Sequence, residues 1–331
     1  MSRIDISQIF SQFNNLNVLI IGDVMIDSYM WGDVTRISPE APVPILSSTK
    51  REHRLGGAAN VALNIQSLGA NPILCSVIGD DESGKELVKL VSDKGFTTNG
   101  LVYDKSRITT IKTRIIAHNQ HLLRVDEEID TPLSPASEKM LLERIDTLLS
   151  QTKIDAIIFE DYDKGAITAQ IIKHVTEVAS ASSIPVLVDP KKRNYEAYTN
   201  VTLFKPNFKE FKEGMKIDLE KGDQDGLLEA GRKFIAQKGI DTLMVTLSEH
   251  GVFVCQKDSY EFIPAEIRTI SDVSGAGDTV ISVSSLCLAC GLSSAKVAKI
   301  GNLAGGLVCE KAGVVPIDKQ QLLHECIEKH I

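Results

Sequence analysis

One pattern limits what this chain can fold into: short apolar runs alternate with segments of helical periodicity along most of its length. Asn17–Gly22 (NVLIIG) is an apolar run of strand length ending in Gly-Asp, and Pro72–Ile78, Ala156–Phe159, Pro185–Val188, Val201–Phe204 and Thr242–Thr246 are of the same type. Between them lie helix-patterned segments at about 82–94, Pro135–Leu149, from Thr168, and Asp225–Lys238. Small-residue helices open at Gly56 and run through Ser67, and two more, at about 276–290 and 294–311, close the fold. Runs that are apolar throughout suit strands buried on both faces, which is what helices on either side of a parallel sheet produce. The spacing predicts an α/β fold with a doubly wound, mostly parallel sheet. Two stretches break the alternation. The segment up to Arg54 carries Tyr29, Trp31, Val34, Ile37, Val43, Ile45 and three prolines, and Thr109–Ile116 with Gln120–Asp126 form a strand–turn–strand pattern around His118-Asn119. These are expected to build a small separate β-sheet from about 28–54 and 99–126.

Composition narrows the function classes. The 331 residues are 43% hydrophobic and 24% charged, as in an ordinary globular protein, with a formal net charge of −8. No basic stripe offsets that charge, which argues against nucleic acid or a membrane as partner. Met1 to Asn17 lacks the apolar core of a secretory signal, and no apolar run reaches spanning length, so a cytoplasmic location is expected. The six cysteines sit mostly in apolar segments, as reduced core thiols do. Cys287-Leu-Ala-Cys290 matches C-x-x-C but falls inside a predicted helix without a second pair or a neighbouring histidine, which argues against a metal or redox role.

The stretch Asp272-Val273-Ser274-Gly275-Ala276-Gly277-Asp278-Thr279 carries the chemistry. A glycine-rich turn runs into an apolar helix (Val280, Ile281, Val283, Leu286), with an acid in its first turn. Glycines let backbone approach a ligand, and the unpaired amides of a helix start donate to phosphate oxygens. An acid there is ordinarily just favoured by the helix dipole. A carboxylate beside an anion site also suits a base that takes a proton from a hydroxyl attacking a phosphate. Two nucleotide motifs nearly match and fail. Gly79-Asp-Asp-Glu-Ser-Gly84-Lys85 fits G-x-x-x-x-G-K, but Glu86 stands where the Mg²⁺-binding Ser/Thr belongs. Gly275-x-Gly277 lacks the third glycine of a dinucleotide fingerprint, since Val280 occupies its place. The remaining polar clusters follow strand ends, where ligands bind in open α/β sheets: Asp23 and Asp27, Glu160-Asp161, Asp189-Pro-Lys191-Lys192-Arg193, Asn207-Phe-Lys-Glu210 and Thr246-Leu-Ser248. Singly, each reads as a cap or turn former; together they offer acids for Mg²⁺ and cations for phosphate.

On these residues the chain resembles the ribokinase-like (PfkB-type) carbohydrate kinases over essentially its whole length. Gly56-Gly-Ala-Ala-Asn60-Val-Ala62 is similar to that family's first signature and Asp272–Asp278 to its second, while Gly79-Asp-Asp81-Glu-Ser-Gly84 and Asn207-x-x-Glu210 match its G-x-D-x-x-G and N-x-x-E elements. Within the family, similarity is closer to the kinases that phosphorylate D-glycero-D-manno-heptose 7-phosphate at the anomeric position. It is carried by Arg36–Pro44, Gly56–Ala70, Asn119-Gln120 with Leu123-Arg124-x-Asp126, Asp161-Tyr-x-Lys-Gly165, Asp189-Pro-Lys191, Pro206-Asn207 and Gly275–Ile281. A kinase for another sugar phosphate, such as a ketohexose phosphate, stays open as the alternative. In many relatives an adenylyl-transfer domain with an H-x-G-H motif follows; the chain ends at Ile331 with no such motif, so a stand-alone kinase is expected.

The resemblance implies a single kinase domain over 1–331 with the small sheet as a lid, ATP as co-substrate, and Mg²⁺. It makes Asp278 the general base, with Gly275, Ala276 and Gly277 supplying anion-hole amides. Asn207, Phe208, Lys209 and Glu210 fall on the nucleotide side, Asn207 and Glu210 organising Mg²⁺ indirectly. Ser248, Gly251 and Asn302 also fall near the nucleotide. Asp27, Gly57, Asn60, Arg124, Asp161 and Lys191 match sugar-side positions, and Asp272 matches a monovalent-cation position, which would make K⁺ a cofactor. A homodimer through the lids is expected, since Tyr29, Trp31, Ile37, Val43, Ile45 and Ile111 are more apolar surface than a thin sheet hides alone.

Overall fold

The structure, a computed structural model, describes residues 5–118, 120–311 and 313–331; Asn119, among the residues carrying the resemblance, lies outside them. Helix α1 (Ile6–Gln12) leads into β1 (Asn17–Gly22), after which the chain leaves the main sheet to form β2 (Val24–Ile37) and β3 (Pro44–Gly57). It returns through α2 (Ala58–Ser67), β4 (Asn71–Gly79), α3 (Glu82–Asp93) and β5 (Leu101–Asp104), then leaves again for β6 (Ile111–Ala117) and β7 (Gln120–Glu127). From α4 (Pro135–Gln151) the alternation is regular: β8 (Ala156–Glu160), α5 (Ala169–Ala181), β9 (Val186–Asp189), β10 (Leu203–Phe204), α6 (Phe208–Met215), α7 (Gln224–Lys238) and β11 (Thr242–Thr246). A hairpin of β12 (Val252–Cys255) and β13 (Tyr260–Ile263) precedes α8 (Ala276–Ala289), α9 (Ser294–Cys309) and α10 (Lys319–Glu328).

The nine-stranded sheet has the order β13-β12-β11-β10-β9-β8-β1-β4-β5 and is parallel from β11 to β5. Alternate residues of each strand feed two cores. Val18 and Ile20 of β1 pack on the side of α2, α8 and α9, whereas Leu19 and Ile21 pack on the side of α4, α5 and α7. Both faces are covered, which is why the strands are apolar throughout. The chain runs from β1 outward to β4 on one side and later to β8 on the other, so the β1–β8 boundary is the switch point where such sheets open a crevice.

The second sheet has the order β3-β2-β6-β7, with β2–β3 and β6–β7 antiparallel. It is narrower than the sequence suggested at one end. Residues 99–110 are not part of it, because Leu101 and Val102 bury in opposite cores and β5 pairs in parallel with β4. The G-x-D-x-x-G loop joins the two sheets. Asp81 accepts from the Gly84 amide at 2.6 Å, capping α3, and from the Thr109 amide and hydroxyl at 2.8 Å each, just before β6. An added Cβ on Gly84 would lie 2.2 Å from Gly79 O, so the glycine is required by close approach. The false Walker match is thus a structural clasp.

Other departures have local causes. Gly56 and Gly57 end β3 instead of opening α2, because Gly57 sits at φ 60°, ψ −137°, outside helical geometry. Strands β12 and β13 form an antiparallel edge where no strand was expected; β13 buries only Ile263, too little apolar periodicity to register. Helix α10, likewise unexpected, buries just Leu322 and Cys326 along an otherwise polar stretch.

Candidate active site

Three strand ends meet at the switch point. The register aligns Gly22 of β1 with Glu160 of β8, and Glu160 with Asp189 of β9, so the residues just beyond emerge side by side. Asp23, Glu160, Asp161 and Asp189 are all buried there, together with Lys205. Carboxylate oxygens of Glu160, Asp189 and Asp278 lie within 4.8 Å of one another, and Lys205 Nζ, 2.7 Å from Asp189, supplies positive charge among them. Burial disfavours the Lys205 ammonium, but the Asp189 charge and hydrogen bond outweigh it and hold its pKa above the ordinary lysine value. Among the described residues Glu160 Oε2 is buried without a partner, and burial followed by the charges of Asp189 and Asp278 pushes this carboxyl well above the usual range.

Asp278 enters this group from the other core. Gly275, the N-cap of α8, has φ 79°, and an added Cβ would lie 3.1 Å from both Asn60 Nδ2 and Val314 Cγ1; conformation and space both require glycine. The turn delivers Asp278 into the first turn of α8, where Asn60 Nδ2 donates to Oδ2 at 2.6 Å and the Tyr162 hydroxyl donates to Oδ1 at 2.9 Å. Burial raises the Asp278 pKa and the neighbouring Asp189 adds to this, while the hydrogen bonds of Asn60 and Tyr162 and the Lys205 charge oppose. Of the helix-start amides, that of Ala276 donates to Val273 O at 3.3 Å. Gly277 faces the cluster: an added Cβ would lie 3.4 Å from Asp189 Oδ2 and 3.5 Å from Lys205 Nζ.

Asn207 and Glu210 form a capping box at the start of α6. Glu210 N donates to Asn207 Oδ1 at 2.9 Å, and Asn207 N to Glu210 Oε2 at 2.8 Å. Glu210 Oε1 accepts from Lys191 Nζ, so the box is tied to the loop after β9.

The site thus joins an acid in a glycine-held helix start with a buried cation, and Lys191 ties the capped start of α6 to the loop after β9. The model of the pfkB family carbohydrate kinases matches residues 15–320. This chain belongs to the PfkB family of carbohydrate kinases. The kinase is 36% identical over 331 residues to the bifunctional protein HldE of Geotalea uraniireducens, covering all of this chain and 67% of that protein. It is 37% identical over 325 residues to that of Geobacter metallireducens, covering 98% of this chain and 65% of the relative. The chain therefore spans about two thirds of the length of these relatives. The fold is shared with Escherichia coli phosphofructokinase-2 in complex with substrates and products, at TM-score 0.77 and 19% identity over 94% of this chain and 99% of that one. Arabidopsis thaliana ribokinase complexed with ribose and ATP matches at TM-score 0.70 and 15% identity, over 93% and 98% of the two chains.

The remaining sequence-selected residues divide. Asp27 is buried beside the site, with Arg114 Nη1 donating to Oδ1; an added Cβ on Gly56 would lie 2.4 Å from Asp27 Oδ2. Gly57 is wedged against Asp23 O, 2.3 Å from where its Cβ would stand. Asp272 joins two loops: its carboxylate accepts from Ser274 N at 2.9 Å and Gly313 N at 3.2 Å. Ser248, at φ 56°, and Gly251, at φ 86°, bracket a tight turn after β11, where an added Cβ on Gly251 would lie 2.0 Å from Ile263 O. Asn302 donates to Pro264 O at 2.9 Å and lines a cavity of about 470 Å³ with Ile263, Pro264, Lys299 and Leu303.

Four of the selected side chains are engaged elsewhere. Asp161 points into the fold, accepting from Asn194 Nδ2 and Tyr198 OH at 3.0 Å each; burial pushes it up to about 6. Arg124 makes two bonds to Asp126 on its own strand, at 2.9 and 3.0 Å. Lys209 stands in solvent, 3.8 Å from Glu213, and Phe208 lies beneath Lys212 with Nζ 5.6 Å from its ring centroid. Sequence reasoning passed over Lys205 and Tyr162. Lys205 directly precedes Pro206-Asn207, and Tyr162 sits within Asp161-Tyr-x-Lys-Gly165; nothing local marks either as site-facing.

Proposed function

We propose that this kinase transfers the γ-phosphoryl group of ATP to the anomeric hydroxyl of D-glycero-D-manno-heptose 7-phosphate, giving the 1,7-bisphosphate on the way to ADP-heptose for the lipopolysaccharide core. The observation that carries phosphoryl transfer is the Asp278 carboxylate, held by two donors in the first turn of α8 beside a glycine-formed helix start. Asp278 takes the anomeric proton, the hydroxyl oxygen attacks the γ-phosphorus, and the bond to the β-phosphate oxygen breaks to release ADP. The amides of Gly275, Ala276 and Gly277 receive the charge on the transferred group, Ala276 by exchanging its bond to Val273 O. Asp27, Gly57 and Asn60 hold the sugar, and Ser248, Gly251 and Asn302 the nucleotide, whose base suits the 470 Å³ cavity.

Mg²⁺ fits the oxygen donors of Asn207 and Glu210 as an outer-shell partner, because their inward atoms already bond within the capping box and to Lys191, and Mg²⁺ keeps several waters. Bound there, it would neutralise charge on the triphosphate. A monovalent ion such as K⁺ would sit at the Asp272 carboxylate between its two loops.

The heptose phosphate is favoured by the resemblance over Arg36–Pro44 and Gly56–Ala70 and by cations on the small sheet. Arg54 and Arg114 both lie over the Tyr29 ring, at 4.7 and 5.2 Å, and Arg54 Nη1 would be 3.5 Å from a Cβ on Gly313, next to the loop that Asp272 holds. A phosphate at the far end of the sugar would find guanidinium donors there. On this reading the whole chain works as one kinase domain with the small sheet as lid, in the cytoplasm. It pairs as a homodimer through the lids, where Ile37, Val43, Leu123 and Val125 are exposed. No described helix is long and apolar enough to cross a membrane. An ATP-consumption assay over heptose 7-phosphate, free heptose and ketohexose phosphates tests the substrate, with phosphorus NMR of the product. Comparable kcat/KM for heptose and its 7-phosphate, preference for a ketohexose phosphate, or an ester away from the anomeric carbon overturns the reading.

A further inference from the structure

Tyr162 touches the acid of the site without touching the reacting groups. Its hydroxyl is one of the two side-chain donors on Asp278, at 2.9 Å from Oδ1, and its backbone is fixed on both sides. Asp23 accepts from the amides of Tyr162, Lys164 and Ala166 at 2.9, 3.0 and 2.9 Å, clamping the loop from the end of β1. The adjacent Asp161 clamps it from behind through Asn194 and Tyr198, and its Oδ1 accepts from the Asp163 amide at 2.8 Å. The ring also lies under Lys191, with Nζ 5.7 Å from the centroid, and the same ammonium binds Glu210. Tyr162 therefore reaches Asp278 through its hydroxyl and, through Lys191, the capping box of α6, from a backbone that Asp23 holds in place.

We propose that Tyr162 is a positioning residue for phosphoryl transfer: its hydroxyl fixes the Asp278 carboxylate in one rotamer and occupies one lone pair of Oδ1, leaving the other for the acceptor hydroxyl. This rests on the reading of Asp278 as the base. A carboxylate without these donors in a buried pocket would be lost to protonation, since Glu160 and Asp189 face it from β8 and β9. Asn60 from α2, Lys205 after β10 and Tyr162 are the groups that oppose this, and Tyr162 is the one held by a dedicated loop. Donation to the ionised form also keeps the carboxylate able to accept a proton near neutral pH.

The test is Tyr162→Phe in the full chain, which keeps the ring, with heptose 7-phosphate and ATP as substrates and a melting curve to check the fold. The expected result is a fall in kcat of about tenfold, with both KM values within twofold and the acid limb of the kcat/KM profile moved up by about half to one pH unit. A variant with kcat within twofold of wild type, an unmoved acid limb, or a loss confined to KM overturns the proposal. Tyr162→Leu, which removes the same hydroxyl, is expected to move the acid limb in the same direction; no movement there counts equally against it. Failure of the base reading is seen separately, as Asp278→Asn turning over within threefold of wild type.

Discussion

The floor of the site and the small sheet beside it handle charge in opposite ways. On the floor, Asp23, Asn60, Glu160, Asp189, Lys205 and Asp278 are almost wholly buried, and most of their polar atoms are matched by amides or side chains of the floor itself. On the small sheet, apart from the buried Arg114–Asp27 pair, charges pair along and across the strands with part of each pair reaching the surface. Lys112 meets Asp126 and Glu128 at 3.0 Å each, Arg124 meets Asp126, and Arg54 meets Glu52, a carboxylate its hydrogen bond helps hold down at about 2. Pairs that reach solvent, such as Arg124–Asp126 and Arg54–Glu52, contribute about 0–1 kcal/mol each and exchange partners cheaply, whereas a buried polar group stripped of its partner costs about 1–3 kcal/mol. The floor is built to stay fixed while chemistry happens on it. The small sheet can hand the Arg54 guanidinium to a ligand at little cost to the fold.

The contrast can be broken at either end. The largest effect is expected from Asp278→Asn, which keeps the volume but cannot accept a proton: kcat should fall by roughly 10²–10⁴ while ATP affinity, measured by calorimetry, stays within a few-fold. In the wild type, activity should drop as pH falls through a pKa above the ordinary carboxylate value, because burial raises that of Asp278 and the protonated acid is no base. Next comes Asp23→Ala. It strips the amides of Tyr162, Lys164 and Ala166 of their acceptor and should cost about 3 kcal/mol in urea unfolding. A cost below about 1 kcal/mol would mean the floor is no more rigid than the sheet beside it.

On the small sheet, Arg54→Ala should raise KM for a phosphorylated sugar about tenfold, leaving kcat and thermal stability nearly unchanged. An equal rise for the unphosphorylated sugar would remove Arg54 from phosphate recognition. Smallest in stability is Leu123→Glu, on a residue 58% exposed, expected within about 0.5 kcal/mol for the single chain. Light scattering should nonetheless convert the proposed dimer to a 36.1 kDa species, and a dimer that survives would move the interface off this face.

The expected dimer surface itself changed with the structure. Tyr29, chosen as an apolar surface residue, is buried, stacked on Trp31 with ring centroids 5.5 Å apart and flanked by two arginines. Ile37 and Val43 are exposed as expected, and Leu122, Leu123 and Val125 of β7 are exposed with them. Alternation along a strand says which residues share a face; which face meets solvent depends on what the sheet packs against.

The sequence by itself determined the parallel sheet, from runs apolar on both faces, and the glycine-held acid at the start of α8, because φ 79° at Gly275 and the first-turn place of Asp278 are local facts written in adjacent residues. It also marked the strand ends bearing Asp23, Glu160 and Asp189. Only the tertiary structure decided how these combine. Tyr162 and Asn60 lie 116 and 218 residues from Asp278 in sequence yet bond its two oxygens, and Lys205 finds its charge partner across the β9–β10 boundary. Asp161, adjacent to Tyr162, turns the other way into the core. A side chain's direction at a strand end is set by the loop that follows and by the partners waiting there. Those partners come from distant segments that only the closed sheet brings together.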